Sequence, residues 1–262
     1  MMGVFSVNIA VIQARMSSSR LPGKVLKSIG ETTILDSVVE RLRRSSSVEK
    51  IVVATTTLPI DDSIYFHCKN RSIDVTRGPE KDVLLRYALA VGENFEGNVL
   101  RVTADCPLVD PELVDLAYKK FIKLNLDHIG IATGAGVANL KSNRYPDGLD
   151  AEWIKYDALL KANREATDLL DREHVTSYIW RNPSKFELGQ LEPSQDYSDV
   201  KLTVDTAEDL ANVSDLVKLL GVDYLKADFT LVVDKYRKGI TSGQLRLPLV
   251  NPTYDVFYEH DE

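Results

Sequence analysis

Two textures alternate along this chain: short, nearly continuous apolar runs, and longer stretches whose apolar residues recur three or four positions apart. The runs Val7–Ile12, Ile51–Thr55, Val99–Thr103, His128–Ala132 and Leu202–Val204 read as short buried strands. Between them, Ile34, Leu35, Val38, Val39 and Leu42 form one stripe at helical spacing, and Val83, Leu84, Tyr87, Ala88 and Val91 form another. Pro111-Glu112-Leu113 opens a further helix with Pro in its first turn, ending before Asn125. Strands alternating with amphipathic helices predict the α/β class, a mostly parallel sheet covered by helices on both faces. The regularity breaks over 133–195. A Gly/Asn-rich stretch there is followed by a hairpin-like Asp147-Gly148, a helix from about Asp168 to Trp180 and a strand near Phe186–Leu191, so this part reads as an insertion in the sheet. The expected organisation is one domain over 1–245, with 133–195 inserted, and a C-terminal tail over 246–262.

Bulk properties narrow the setting. With 262 residues, 44% of them hydrophobic, the chain is long enough to bury a substantial core. Its formal charge of −7 repels nucleic acid and anionic membrane, so neither is an expected partner, and any cationic site must act locally. Met1–Ser6 lacks the charged and apolar regions of a secretory signal, and no apolar run reaches the ~20 residues that span a bilayer. Cys68 and Cys106 supply neither a disulfide framework nor zinc spacing. A cytoplasmic location is expected.

The candidate chemistry starts where the first apolar run breaks into Gln13-Ala14-Arg15-Met16-Ser17-Ser18-Ser19-Arg20-Leu21-Pro22-Gly23-Lys24. Three cations in a small-residue loop after a buried strand have the ingredients of a polyphosphate cradle, Lys24 for the β- and γ-phosphates, Arg15 for the α/β bridge and Arg20 as a brace. It is not a P-loop, which would require Gly at 18 and Ser or Thr after the Lys, where Ser18 and Val25 stand. Gly134-Ala135-Gly136-Val137-Ala138-Asn139 likewise fails as a dinucleotide fingerprint, lacking the third Gly or Ala and opening no helix. Asp105 and Asp205 each follow a strand candidate, at the sheet end where α/β proteins bind ligands. Two carboxylates there suit a hard cation such as Mg²⁺, yet each can equally cap the following helix, and the residues alone leave both readings open. Main-chain groups around Ala14, with Arg77, Gly78, Asp82 and Thr103-Ala104, are candidates for nucleobase contact. Asp82 also reads locally as a helix cap. Tyr145, Asp147, Asp150 and Glu152 gather carboxylates around a turn, and Arg172-Glu173-His174 place a cation, an acid and a base on one helix. These are the candidate acceptor-binding residues.

Gln13-Ala14-Arg15-Met16 followed by Arg20-Leu21-Pro22-Gly23-Lys24 resembles the signature loop of the cytidylyltransferase family that includes CMP-Kdo synthetases and acylneuraminate cytidylyltransferases, most closely its spore-coat-polysaccharide branch. Thr103-Ala104-Asp105-Cys106-Pro107-Leu108, Asp147-Gly148-Leu149-Asp150-Ala151-Glu152, Arg172-Glu173-His174-Val175-Thr176 and Leu202–Leu210 resemble that branch in order, so the likeness spans most of residues 7 to 220. One departure is Ser17, where the family usually has Gly. The resemblance implies a Rossmann-like three-layer, GT-A-like nucleotidyltransferase with a mixed, mostly parallel sheet. It implies CTP as substrate, Mg²⁺ held by Asp105 and Asp205, an ulosonic acid or phosphorylated acceptor, and a homodimer built on the inserted segment. Two rivals are a GT-A-type glycosyltransferase, for which Asp105-Cys106-Pro107 lacks the second Asp of an Asp-X-Asp motif, and a non-catalytic nucleotide-binding protein, which would be expected to lose the metal carboxylates first.

Overall fold

Val7–Gln13 (β1) carries alternating side chains that are buried on both faces, and this decides where it lies. Ala10 and Ile12 enter one core and Ile9 and Val11 the other, which places β1 in the middle of a sheet covered on both sides. The computed structural model describes residues 7–133 and 143–247. After β1 come a small hairpin, Ser28–Ile29 (β2) with Thr32–Thr33 (β3), then Ile34–Leu42 (α1), Lys50–Thr56 (β4), Asp62–Asn70 (α2), Asp74–Gly78 (β5) and Val83–Val91 (α3). Gly97–Thr103 (β6), Pro111–Lys123 (α4) and His128–Ile131 (β7) follow. The remainder is Ala151–Lys155 (β8), Tyr156–Glu165 (α5), Leu169–His174 (α6), Ser177–Trp180 (α7), Leu188–Leu191 (β9), Ala207–Leu220 (α8) and Phe229–Thr241 (α9).

The seven-stranded sheet runs β5-β4-β1-β6-β8-β7-β9, parallel throughout except for β8, which is antiparallel to both neighbours. It is the mixed, mostly parallel, Rossmann-like sheet that the pattern and the resemblance call for. Helices α1, α2, α4, α8 and α9 contribute to the core on one face, and α3, α5 and α7 to that on the other. The chain runs from β1 outward through β4 to β5 and then returns to the opposite side of β1 as β6. This reversal leaves a crevice at the carboxyl ends of β1 and β6, the place where open α/β sheets bind ligands.

Three local expectations change. Leu202 and Val204 are fully buried and Thr203 is half-buried, but the segment joins no ladder: Leu202 N–H donates to the Asp147 carbonyl at 2.7 Å and Val204 N–H to the Asp105 carbonyl at 3.0 Å. Its apolar pattern reflects burial between two strand-end loops. Asp147-Gly148 is no hairpin tip. Gly148 has φ 100°, and a Cβ there would lie 2.5 Å from the Thr203 nitrogen, so the turn lies directly against the 201–203 segment. The helix expected over 168–180 is two helices, α6 and α7, separated at Val175 with φ 61°. β8 and β9, from the segment read as inserted, complete the same sheet. The Gly134–Asn139 stretch lies outside the described residues.

Candidate active site

The centre of the crevice is an ammonium between two carboxylates. Lys24 is carried by a 3-10 turn that begins after Gly23, whose φ of 70° lets the loop from β1 reverse. Its Nζ lies 2.7 Å from Asp105 Oδ2 and 2.9 Å from Asp205 Oδ1, and Arg20 Nη2 is 3.1 Å from the same Asp205 oxygen. Neither aspartate caps a helix. Asp110 caps α4, and Thr206 caps α8 in a reciprocal capping box with Asp209, whose carboxylate also accepts the Asp205 N–H. Sequence separations of 81 and 181 residues close onto one nitrogen, and of the two local readings the structure removes helix capping.

Burial alone would lower the Lys24 ammonium, but Asp105 and Asp205 outweigh it and hold it above its ordinary range. Burial would raise Asp105, and Lys24 and Thr103 instead hold it below the usual carboxylate range. Two carboxylates gathered around one cationic nitrogen form an oxygen donor pair of the kind a divalent cation shares with substrate phosphates and water. The donor chemistry of Asp105 and Asp205 therefore fits such an ion, which these two carboxylates would hold. Among the described residues no group of three or more His, Cys, Asp or Glu forms a closed metal cage.

The surrounding loop is held by polar contacts. Arg15 is exposed, while Met16 has both backbone groups bonded: its N–H to Asp61 Oδ1 at 2.6 Å and its carbonyl to Gly23 N–H at 2.9 Å. Ser17 donates to Glu80 Oε1 at 3.3 Å, and Ser18 Oγ accepts the Leu21 N–H at 3.4 Å. Gln13 ends β1 with a buried Oε1 that has no partner, and its carbonyl takes the Ala104 N–H at 3.0 Å. The Ala14 N–H is committed to the Ala54 carbonyl at 3.2 Å. Thr103 Oγ1 lies 3.2 Å from Cys106 Sγ, and burial together with Asp150 and Asp105 pushes that thiol well up, so Cys106 is not a ready nucleophile.

The segment considered for the nucleobase is structurally engaged. Arg77 lies in β5 and donates to the Thr56 and Leu58 carbonyls at 2.7 and 2.9 Å, pairs with Asp62 at 2.7 Å and stacks over Tyr65. Gly78 accepts the Thr57 N–H. Asp82 caps α3 through Leu85 N–H and receives Arg172 bidentately, at 2.9 and 2.6 Å. Thus a residue considered for the nucleotide and one considered for the acceptor are bonded to each other. Arg172 also donates to Asn163.

Beyond β6 the remaining acceptor candidates divide. Asp150 accepts from the Thr133 hydroxyl and the Gly148 N–H, and burial, reinforced by Asp105, raises its carboxyl. Glu152 lies opposite Arg101 in the ladder and pairs with it at 3.1 Å. Burial would raise it, but Arg101, His128 and Thr176 hold it down at about 2. Tyr145 is buried against Phe229, and Asp147 accepts from Thr203 at 2.9 Å. Glu173 is exposed; His174 is half-buried, lowered by burial and by Arg101. Sequence reasoning missed Asp61, Arg86 and Arg101. Asp61 reads as a helix start after Pro59, and the two arginines fall inside apolar runs with no local signal.

A family model described as cytidylyltransferase matches residues 9–238 of this chain. An uncharacterised protein of Methanocaldococcus jannaschii is 35% identical over 229 residues, covering 86% of this chain and 88% of its own. The spore coat polysaccharide biosynthesis protein SpsF of Bacillus subtilis is 32% identical over 218 residues, covering 80% and 86%. A solved cytidylyltransferase from Leptospira borgpetersenii serovar Hardjo-bovis has a TM-score of 0.82 at 27% identity, covering 93% of this chain and 98% of that one.

Proposed function

The chain belongs to the cytidylyltransferase family, and on that premise we propose that it transfers CMP from CTP to an acidic sugar or phosphorylated acceptor, releasing pyrophosphate, in the synthesis of a surface polysaccharide or glycoconjugate precursor. The observation that carries the reading is the Lys24 ammonium set between Asp105 and Asp205 at the switch-point crevice. An oxygen of the acceptor attacks the α-phosphorus, the bond to the β-phosphate bridging oxygen breaks, and pyrophosphate leaves with that electron pair. Arg15, Arg20 and Lys24 neutralise the charge that gathers on the departing diphosphate. Magnesium held by Asp105 and Asp205 would draw the phosphate oxygens into line and share that neutralisation. Lys24 releases the two carboxylates as the triphosphate arrives and turns to its β- and γ-oxygens. A sugar hydroxyl must lose a proton, and Asp150, with its carboxyl raised by burial, is the base suited to take it; a phosphate nucleophile needs none. Catalysis is positioning and charge neutralisation without a covalent enzyme intermediate. The working unit in this proposal is a cytoplasmic homodimer, and sedimentation velocity tests its stoichiometry. No described helix is long and apolar enough to cross a membrane.

The deciding experiment measures pyrophosphate release from each of the four nucleoside triphosphates with Mg²⁺, across a panel of ulosonic acids, sugar phosphates and phosphonates. Release confined to CTP, dependent on one acceptor and lost in Asp105→Ala is the expected result. Failure of the wild-type protein to bind CTP at all sinks the proposal.

A further inference from the structure

The carboxylate of Asp61 does not do what its place in the chain suggests. Asp61 ends a 3-10 turn, Pro59–Asp61, and stands at the N-cap of α2, where an aspartate usually accepts hydrogen bonds from the first amides of its own helix. No such bond forms here. The side chain instead reaches a residue 45 positions earlier: Oδ1 accepts the Met16 N–H at 2.6 Å, and Oδ2 accepts the Thr56 hydroxyl, which itself takes the Leu58 N–H at 3.1 Å. Asp61 is 0% exposed. A fully buried carboxylate is costly unless its oxygens are bonded, so this one is tied to the backbone of the cationic loop and to the end of β4.

The contact falls at one particular peptide. Met16 N–H belongs to the Arg15–Met16 unit, so Asp61 fixes the plane of the backbone from which Arg15 projects. The next polar group, the Met16 carbonyl, is taken by Gly23 N–H, and Ser17 is held by Glu80. The 2%-exposed Arg86 lies in the same electrostatic neighbourhood. Its guanidinium is lowered by burial and by Arg15 and raised by Asp61 and Glu80, while Nη1 donates to the Pro79 and Glu80 carbonyls at 3.0 and 3.3 Å. A small-residue loop such as Ser17-Ser18-Ser19 would otherwise have to be ordered when substrate binds, a cost that prior anchoring removes.

We infer that Asp61 is the positioning residue of the triphosphate loop, holding the Arg15–Met16 peptide in its binding conformation before CTP arrives. The inference rests on the proposal that this loop binds CTP. Three variants test it: Asp61→Ala, Asp61→Asn, which keeps an oxygen for Met16 N–H, and Asp110→Ala as control. Asp110 is equally buried but serves the α4 cap and Phe229 N–H, away from the loop. Calorimetric titration with CTP and hydrogen exchange over the peptide 15–23 are read together with thermal stability. Asp61→Ala should weaken CTP binding about tenfold and accelerate exchange over 15–23, with Asn recovering most of both, whereas Asp110→Ala loses stability and leaves both unchanged. Unchanged CTP affinity in Asp61→Ala, or an equal loss in Asp110→Ala, overturns the inference. If the wild type binds no CTP, the functional proposal has failed instead, and unaltered exchange over 15–23 in Asp61→Ala then refutes the loop-holding role independently.

Discussion

At the scale of the residue, Lys24 has two incompatible sets of partners. Without substrate its ammonium is held by Asp105 and Asp205; with substrate, the proposal gives those carboxylates to a metal ion and the ammonium to phosphate. The two cations compete for the same oxygens, so Lys24→Met should have opposite effects on metal and nucleotide. Calorimetry with Mn²⁺ alone should show tighter binding, by about tenfold or more, because a unit positive charge touching both ligands is gone. The kcat/KM for CTP should fall by about 10²–10³-fold through loss of a donor to the developing charge. Weaker Mn²⁺ binding in the variant would refute the competition. The participants in this arrangement were legible in the sequence, because a cation-rich loop and two aspartates that each follow a short apolar run are signals in themselves. What holds them was not: Asp61 resembles an ordinary helix cap, and only tertiary structure shows its carboxylate on Met16.

At the scale of elements, Asp82 and Arg172 tie α3 to α6, and Arg172 reaches on to the Asn163 carbonyl and side chain in α5. The α6–α7 break is located beside this tie, with Val175 fully buried at φ 61°. A guanidinium with these bonds already made is a structural fixture first. Arg172→Met should therefore cost about 1–2 kcal/mol in urea unfolding, as expected for a bidentate, partly exposed pair, and leave the KM for CTP within about twofold. A large rise in that KM with unchanged stability would return Arg172 to the substrate. The same region shows where sequence pattern stops informing. The central strands β1, β4 and β6 are buried on both faces, so their apolar runs identify them. β5, with Thr76 and Arg77 in its middle, and β8, entered from a turn of carboxylates, carry polar residues whose partners are distant in sequence: Arg77 bonds the Thr56 and Leu58 carbonyls and Asp62, and Glu152 pairs with Arg101. Leu202–Val204 is the converse, apolar because it is buried and not because it is a strand.

At the scale of the whole molecule, two buried carboxylates beside the β6–β8 ladder contribute to acid stability with opposite sign. Glu152 is depressed to about 2 from a usual 4.5, chiefly by Arg101 against the cost of burial, so the unfolded chain binds its proton first. Its contribution is complete above about pH 4.5 and is lost as pH falls through 2, an amount of about 3 kcal/mol. Asp150 is raised by burial, so its charge opposes folding at neutral pH and the opposition lifts as acid protonates the folded state. Urea midpoints measured from pH 7 to 2 should separate them. Glu152→Gln should be less stable than wild type at neutral pH, where Arg101 is left without its partner, and the two curves should converge toward pH 2. Asp150→Asn should be more stable than wild type at pH 7, with the advantage shrinking as pH falls toward 4. If Asp150 is also the base for a hydroxyl acceptor, that same variant gains stability and loses turnover, whereas a phosphate acceptor would leave turnover intact. A variant that is destabilised at pH 7 would show that the Thr133 and Gly148 bonds outweigh burial in setting the energy of this carboxylate.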